Sequence, residues 1–335
     1  MSKVILGLSG GVDSAVAARL LRRAGHEVLG LYLDIGDASA RADAVSVAEF
    51  LNIGLSILDV SAQLERHVCA PFTESYLRGE TPNPCIMCNP AVKFKSLLDH
   101  ADAHGAELIA TGHYARAENG ALYKGRPAND QSYMLCRLKR EQAARLLLPL
   151  GALEKTGTRA LAEEFHIPVA HKSDSMEICF IPDKDYVGYI SRRAALPLPG
   201  DFTFHGEPLA RHEGIHRWTV GQRIPGLYDG RKLYVSRIIP ERNEIELALW
   251  EELFKTRVRA RDMSWLIDPP DAPLRASVKV RHTKWECPGC TVTPLPDGGA
   301  EIVTDSPLRA PAPGQAAALY QGERLIGGGF IVQAP

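Results

Sequence analysis

The 335-residue chain reads as an α/β protein, with an N-terminal parallel-sheet domain, a small β-rich domain and a C-terminal β-barrel. Three observations predict this. The chain opens with an apolar run, a glycine turn and a stretch of helical periodicity. Strand-like and helix-like segments then alternate through the first third. From residue 196 onward short β-like runs, punctuated by Pro and Gly, replace the helical pattern. The expected divisions are 1–192, 193–254 and 255–335.

Residues 4–8 are continuously apolar, as in a buried strand. Ser9-Gly10-Gly11 is a turn, and Val12, Ala15, Val16 and Leu20 lie at helical spacing, so a helix starts near Val12. Such a turn exposes backbone N–H groups beside the positive end of the helix dipole. Glycines let an anion approach closely. The hydroxyls of Ser9 and Ser14 add donors. Asp13 is unusual in a phosphate cradle, and implies either a bound Mg²⁺ or a role in holding the loop.

Further strands are expected at 28–33, 55–60 and 107–112, and helices at 42–51, 62–77 and 92–104. This rhythm implies right-handed βαβ units in an open parallel sheet, where ligands bind beyond the carboxyl ends of the strands. Leu33, Gly112 and His113 fall at such ends, so the first turn, Leu33 and Gly112 are expected to meet one nucleotide. Asn119-Gly120 signals a hairpin. Helices are expected at 142–148 and 155–165, and a last short strand at 167–170. Residues 234–239 and 244–249 alternate as strands around Asn243. Short strands at 258–261, 276–282, 290–293, 301–303, 316–320 and 325–332 suggest a small barrel, with loops at 269–273 and 307–313.

The formal net charge of −1 advertises no nucleic-acid partner globally, so RNA binding would need local basic patches. Residues 255–285 supply one, with eight Lys and Arg against three Asp. No run approaches the roughly 18 apolar residues of a membrane span, and no secretory signal is visible. A cytoplasmic protein without a membrane partner is expected. There the seven cysteines should be thiols, ligands or transient redox centres. Cys69 and Cys136 sit in amphipathic runs and read as core. Cys287 and Cys290 form a C-x-x-C that reads as a hairpin-turn pair without catalytic role, a metal being the lesser reading. Cys85 and Cys88 form another, in TPNPCIMCN. Pro82 and Pro84 are expected to bar a helix there, with the helix beginning at Ala91. A Cys at such a junction should have a lowered pKa.

SGGVDS at 9–14 resembles the pyrophosphate loop (PP-loop) of the N-type ATP pyrophosphatases. With TPNPC..CN at 81–89, KFK at 93–95, ATGHYAR at 110–116, NDQSYML at 129–135, KSDSMEICFI at 172–181, GQR at 221–223, PGQ at 313–315 and GGG at 327–329, the chain is similar to the tRNA-specific 2-thiouridylases, the MnmA/TrmU family. The resemblance implies an adenine nucleotide alpha-hydrolase-like, Rossmann-like first domain. It implies ATP with Mg²⁺ at Gly7, Leu8, Ser9, Gly10, Gly11, Val12, Asp13 and Ser14, with Leu33 and Gly112 around the adenosine. The wobble uracil 2-oxygen of tRNA would attack the α-phosphate and become adenylated. Cys179 would carry a persulfide loaded by a cysteine desulfurase or a sulfur relay protein. Cys88 would attack that persulfide and leave a Cys88–Cys179 disulfide. Asn83, Pro84 and Cys85 would lie against a flipped target base. His113, Asn129, Asp130, Gln131, Arg281, His282 and Gln315 would contact tRNA.

Many family members carry Asp where Cys85 stands, and the acidic stretch at 34–43 looks abbreviated. Cys85, Cys88 and Cys179 could alternatively hold a [4Fe–4S] cluster with one open iron. Two other classes fit the sequence less well. Another PP-loop ligase needs no Cys88/Cys179 pair and no β-rich C-terminal domains. A non-enzymatic iron–sulfur or RNA-binding protein needs no SGGVDS loop.

Overall fold

The computed structural model describes residues 2–173, 178–226, 228 and 230–332. Residues 174–177, within the KSDSMEICFI block, lie outside the described residues. In chain order the first elements are β1 (Lys3–Gly7), α1 (Val12–Arg23), β2 (Glu27–Asp34), α2 (Ala38–Leu51) and β3 (Gly54–Asp59). Next, α3 (Ser61–Leu64), a π-turn at Glu65–Cys69 and α4 (Ala70–Leu77) form one winding stretch. Then come α5 (Pro84–Cys88), a second π-turn (Asn89–Lys93), α6 (Phe94–Ala103), β4 (Leu108–Ala110), and the hairpin of β5 (Ala115–Glu118) and β6 (Ala121–Lys124). The α7 helix (Arg140–Ala144), β7 (Leu146–Leu147), α8 (Lys155–Glu164) and α9 (Tyr186–Ser191) complete the first part.

The first sheet is parallel, in the order β3-β2-β1-β4-β7. Val4, Ile5 and Leu6 at its centre are fully buried, as a two-sided parallel strand requires. Strand order reverses direction at β1, which has β2 on one side and β4 on the other. The crevice beyond their carboxyl ends is where such sheets bind ligands.

Two expectations are corrected here. The stretch 142–148 is not one helix: α7 ends at Ala144, and Leu146–Leu147 is the edge strand β7, paired to Ile109 and Ala110. Residues 167–170 form no strand but a turn that follows α8. Two apolar residues at 146–147 add too little pattern to separate a short edge strand from a helix end.

A four-stranded sheet follows, built from β8 (Gly200–Phe204), β9 (Glu207–His212), β10 (Tyr234–Ile239) and β11 (Glu244–Ala248). The last unit contains β12 (Phe254–Trp265), β13 (Leu274–Lys279), β14 (Cys287–Pro294), β15 (Ala300–Arg309), β16 (Ala316–Gln321) and β17 (Arg324–Val332). Their order β12-β15-β14-β13-β16-β17 is closed by β12–β17 pairing, so these strands form a closed barrel. Val258, Val278, Val292, Ile302 and Leu319 fill its interior. Cys287 and Cys290 lie in β14, fully buried, rather than in a hairpin turn. A register shift opposite them, between Ala276 and Val278, absorbs the Pro-Gly that separates them. Part of the expected loop at 307–313 is likewise the end of β15.

The barrel is joined to the first domain through that domain's β5–β6 hairpin, which extends the barrel sheet. β17 pairs with β6 through Arg324↔Tyr123 and Leu325↔Leu122. One apolar cluster runs from Ile5, Phe94 and Ile109 through Tyr133 to Ala316, Tyr320 and Phe330. A side chain at Gly328 would place its Cβ 2.9 Å from the Cys136 sulfur, which is why that barrel strand can lie so close. Among the described residues no helix is long and apolar enough to cross a membrane.

Candidate active site

The loop from Leu8 to Gly11 leaves β1 and enters α1. Gly10 has φ +73°, and a Cβ there would lie 2.6 Å from the Ala40 carbonyl oxygen. Gly112, after β4, packs so closely that its Cβ would meet the Asp13 carbonyl carbon at 2.9 Å. Gly7, Leu8 and Val12 seat the loop on the sheet, the latter two in its core. Gly11 caps α1 with no side-chain hydrogen bond. The first amides of this helix therefore have no side-chain cap, as an anion site needs. Ser14 turns inward: its hydroxyl donates to the Gly11 carbonyl (3.0 Å) and accepts from the Ser9 amide (3.2 Å).

Asp13 holds the loop. Its Oδ1 accepts from the Tyr114 hydroxyl (2.7 Å) and its Oδ2 from the Lys155 ammonium (2.6 Å). With both oxygens engaged, one of them by a cation, Asp13 is a poor fit for a Mg²⁺ ligand. Among the described residues no group of three or more His, Cys, Asp or Glu is arranged to hold a metal. Sequence reasoning missed Tyr114 and Lys155. One signal was available: Lys155 opens α8, where the helix dipole disfavours a cation. A second ion pair, Lys172 with Asp43, ties α2 to the chain before Cys179.

The thiol site begins one element away. Contrary to expectation, Pro84 does not bar a helix but starts one. Asn83 caps α5 by accepting the Ile86 amide (3.3 Å), and Pro84 occupies the first turn, where its missing N–H costs nothing. Cys85 is exposed, Cys88 half-buried and Cys179 exposed. Cys88 packs with Leu33, Met87, Phe180 and Tyr189 on the cluster of Val60, Val68, Cys69 and Val92. This places the end of β2, α5 and the residue after Cys179 in one neighbourhood.

The Cys88 and Cys179 thiols are not activated in this state, and for Cys88 this corrects the expected lowered pKa. Burial pushes the Cys88 thiol up, and Lys93 opposes it only in part. Although Cys179 is exposed as a residue, protein crowds its thiol and pushes it up to about 11, with Cys88 and Cys85 adding to the rise. Cys69 is buried and raised by that burial, while its hydrogen bond with Tyr189 opposes the rise. His113, beyond β4, bonds through Nδ1 to the Thr111 hydroxyl (2.8 Å) and lies against Phe94. Burial, then Lys93, holds its pKa well below the ordinary 6.5, so the imidazole is neutral.

The other candidate residues are spread along the domain junctions. Asn83 also donates to the Met134 sulfur (3.6 Å). Asn129 donates to the Leu153 carbonyl (3.4 Å). Asp130 accepts from the Gly125 and Ser132 amides and the Ser132 hydroxyl, and pairs with Lys279 of the barrel at 3.2 Å. Gln131 accepts from the Tyr114 amide (3.0 Å). Arg281 is partly buried and donates to the carbonyls of Val220 (2.6 Å) and Ala310 (2.9 Å). His282 is exposed and stacks on Tyr133. Gln315 donates to the Thr81 carbonyl (2.8 Å), just ahead of the cysteine helix.

A parallel sheet with an open glycine loop at its switch point defines a nucleotide-binding HUP-type domain, here joined to a thiol cluster and a barrel. Residues 2–183 match the family described as "tRNA methyl transferase HUP domain". Residues 195–248 match its "PRC-barrel domain", and residues 255–331 the "Aminomethyltransferase beta-barrel domain". A curated "tRNA-specific 2-thiouridylase MnmA" from Geobacter metallireducens is 39% identical, over 98% of this chain and 96% of its own. That of Pelotomaculum thermopropionicum is 41% identical, over 98% and 97%. A solved NMN synthetase from Francisella tularensis covers 55% of this chain and 76% of its own at 19% identity and a TM-score of 0.36. The chain belongs to the tRNA-specific 2-thiouridylase (MnmA) family.

Proposed function

We propose that the protein thiolates the wobble uridine of tRNA at position 2, spending ATP to AMP and pyrophosphate. The observation that supports this best is the shared edge of the sheet. The glycine loop leaves β1, while Leu33 on β2 and Lys93 before α6 connect the same edge to Cys88 and Cys179. A nucleotide and a sulfur carrier can therefore meet one base.

ATP lies along Gly7 to Ser14 with Leu33 and Gly112 at the adenosine. The uracil 2-oxygen attacks the α-phosphate, and pyrophosphate leaves. Loop amides at the α1 terminus stabilise the charge that develops on the phosphates. The terminal sulfur of a Cys179 persulfide attacks the activated carbon and displaces AMP. Cys88 attacks the inner sulfur, releasing the new thiocarbonyl and leaving a Cys88–Cys179 disulfide. A Mg²⁺ bound with the nucleotide would offset phosphate charge and would find no free ligand in Asp13, whose two oxygens are taken by Tyr114 and Lys155. Asn83, Pro84 and Cys85 face the target base. His113, Asn129, Asp130, Gln131, Arg281, His282 and Gln315 form or brace the tRNA surface. A cysteine desulfurase or relay protein supplies sulfur, in the cytoplasm. We assign the catalytic domain to 1–192, the β-rich domain to 193–254 and the tRNA-contacting barrel to 255–335.

The third thiol, Cys85, leaves a second reading, in which Cys85, Cys88 and Cys179 carry a [4Fe–4S] cluster, although the three are not arranged to hold a metal in this structure. One experiment separates the two. Protein purified without oxygen is assayed for iron, and for 2-thiouridine and pyrophosphate formation with tRNA, ATP and a persulfide donor. Full thiolation without iron supports the persulfide. Activity that tracks iron supports the cluster. No pyrophosphate in either preparation rules out both.

A further inference from the structure

We propose that Cys85 is the resolving thiol of this cycle: it attacks the Cys88–Cys179 disulfide at the Cys88 sulfur, forms a Cys85–Cys88 disulfide and returns Cys179 as a thiol. The inference rests on the persulfide reading above.

Cys85 and Cys88 lie three residues apart on α5. Helical neighbours at that spacing share a face, with Cβ atoms roughly 5–6 Å apart. A small local adjustment brings such a pair into disulfide range. The helix is loosely wound at this point. The Met87 amide reaches the Asn83 carbonyl only at 3.4 Å, and α5 passes directly into a π-turn. Cys88 is half-buried against the cluster that holds Phe180, the residue after Cys179, while Cys85 stands exposed. A Cys88–Cys179 bond would thus be partly covered by the packing around Cys88. A Cys85–Cys88 bond would carry one sulfur at the surface, where an external reductant can attack it. The fourth thiol nearby, Cys69, is only 5% exposed, so it is not the accessible nucleophile.

The exchange balances without an oxidant. The Cys85 thiolate forms one S–S bond as the Cys88–Cys179 bond breaks. The proton that Cys85 gives up is taken by the departing Cys179 sulfur. Cys179 is then free to accept a new persulfide while the disulfide waits at Cys85. An external dithiol supplies the two electrons that finally reduce Cys85–Cys88.

The test maps disulfides by non-reducing peptide mass spectrometry after turnover on tRNA, with limiting dithiol and an acid quench. The wild-type protein should hold Cys85–Cys88. Cys85→Ser should hold Cys88–Cys179, and its steady-state thiolation should fall roughly tenfold at low dithiol and recover at high dithiol. A wild-type protein holding only Cys88–Cys179, with the same dithiol dependence as Cys85→Ser, overturns the proposal. Absence of the Cys88–Cys179 link from Cys85→Ser would instead show that the persulfide reading itself fails, and the proposal with it.

Discussion

At the scale of single residues, the clamp on Asp13 decides how the nucleotide loop works. A carboxylate beside phosphates would repel them. Pairing it with Lys155 and Tyr114 offsets that charge and fixes the loop at once. Charge-assisted hydrogen bonds of this kind are worth about 1.5–3 kcal/mol. Lys155→Met should therefore lower pyrophosphate release by roughly ten- to a hundredfold, read from kcat/KM for ATP. Asp13→Ala should abolish adenylation and thiolation together. His113 gives a pH prediction. Its folded pKa is depressed, so its contribution to stability is full above 6.5 and is lost as pH falls toward the folded value. Its ring resonances should not titrate between about pH 6 and 8, and denaturant midpoints should drop below that range.

Elements show what the sequence carried and what it did not. The strand, loop and helix at 3–23 were legible because every constraint is local: an apolar run, glycines, then helical spacing. Gly10→Ala tests that unit. Its added Cβ must clear the Ala40 carbonyl, so nucleotide binding measured by calorimetry should be lost, while Gly25→Ala, at a similar φ (+86°) but with nothing within 4 Å of its Cβ and at the far end of α1, retains it. The partners of Asp13 were not legible, lying 101 and 142 residues away in sequence. Pro84 misled because proline both ends helices and begins them. Only the Asn83 cap, seen in three dimensions, separates the two uses. The raised thiol pKa values were also hidden, since they follow from which segments pack around Cys88 and Cys179.

Over the whole molecule, the barrel and the nucleotide domain share one apolar cluster beside the cysteine helix. The segment ahead of that helix is held from two sides. The Thr81 amide donates to the Pro313 carbonyl (2.8 Å), and its hydroxyl bonds to that of Thr219 (3.0 Å). Asp130–Lys279 is the buried ion pair across the junction, with side chains 7% and 10% exposed. Removing one partner leaves a buried charge, at a cost of about 3–5 kcal/mol. Lys279→Met should lower the unfolding midpoint markedly, and Asp130→Asn combined with Lys279→Met should recover part of it. The barrel was legible from its short, turn-marked strands, but its strand order and its pairing to β6 were not, because strand alternation gives each strand's faces but not its neighbours.

The division of labour between the loop and Cys179 is the central claim, and Cys179→Ser tests it most directly. With tRNA and ATP, this variant should still release pyrophosphate and leave adenylated tRNA, while mass spectrometry of the nucleosides finds no 2-thiouridine. Continued thiolation, or loss of pyrophosphate release in the folded variant, would contradict the account.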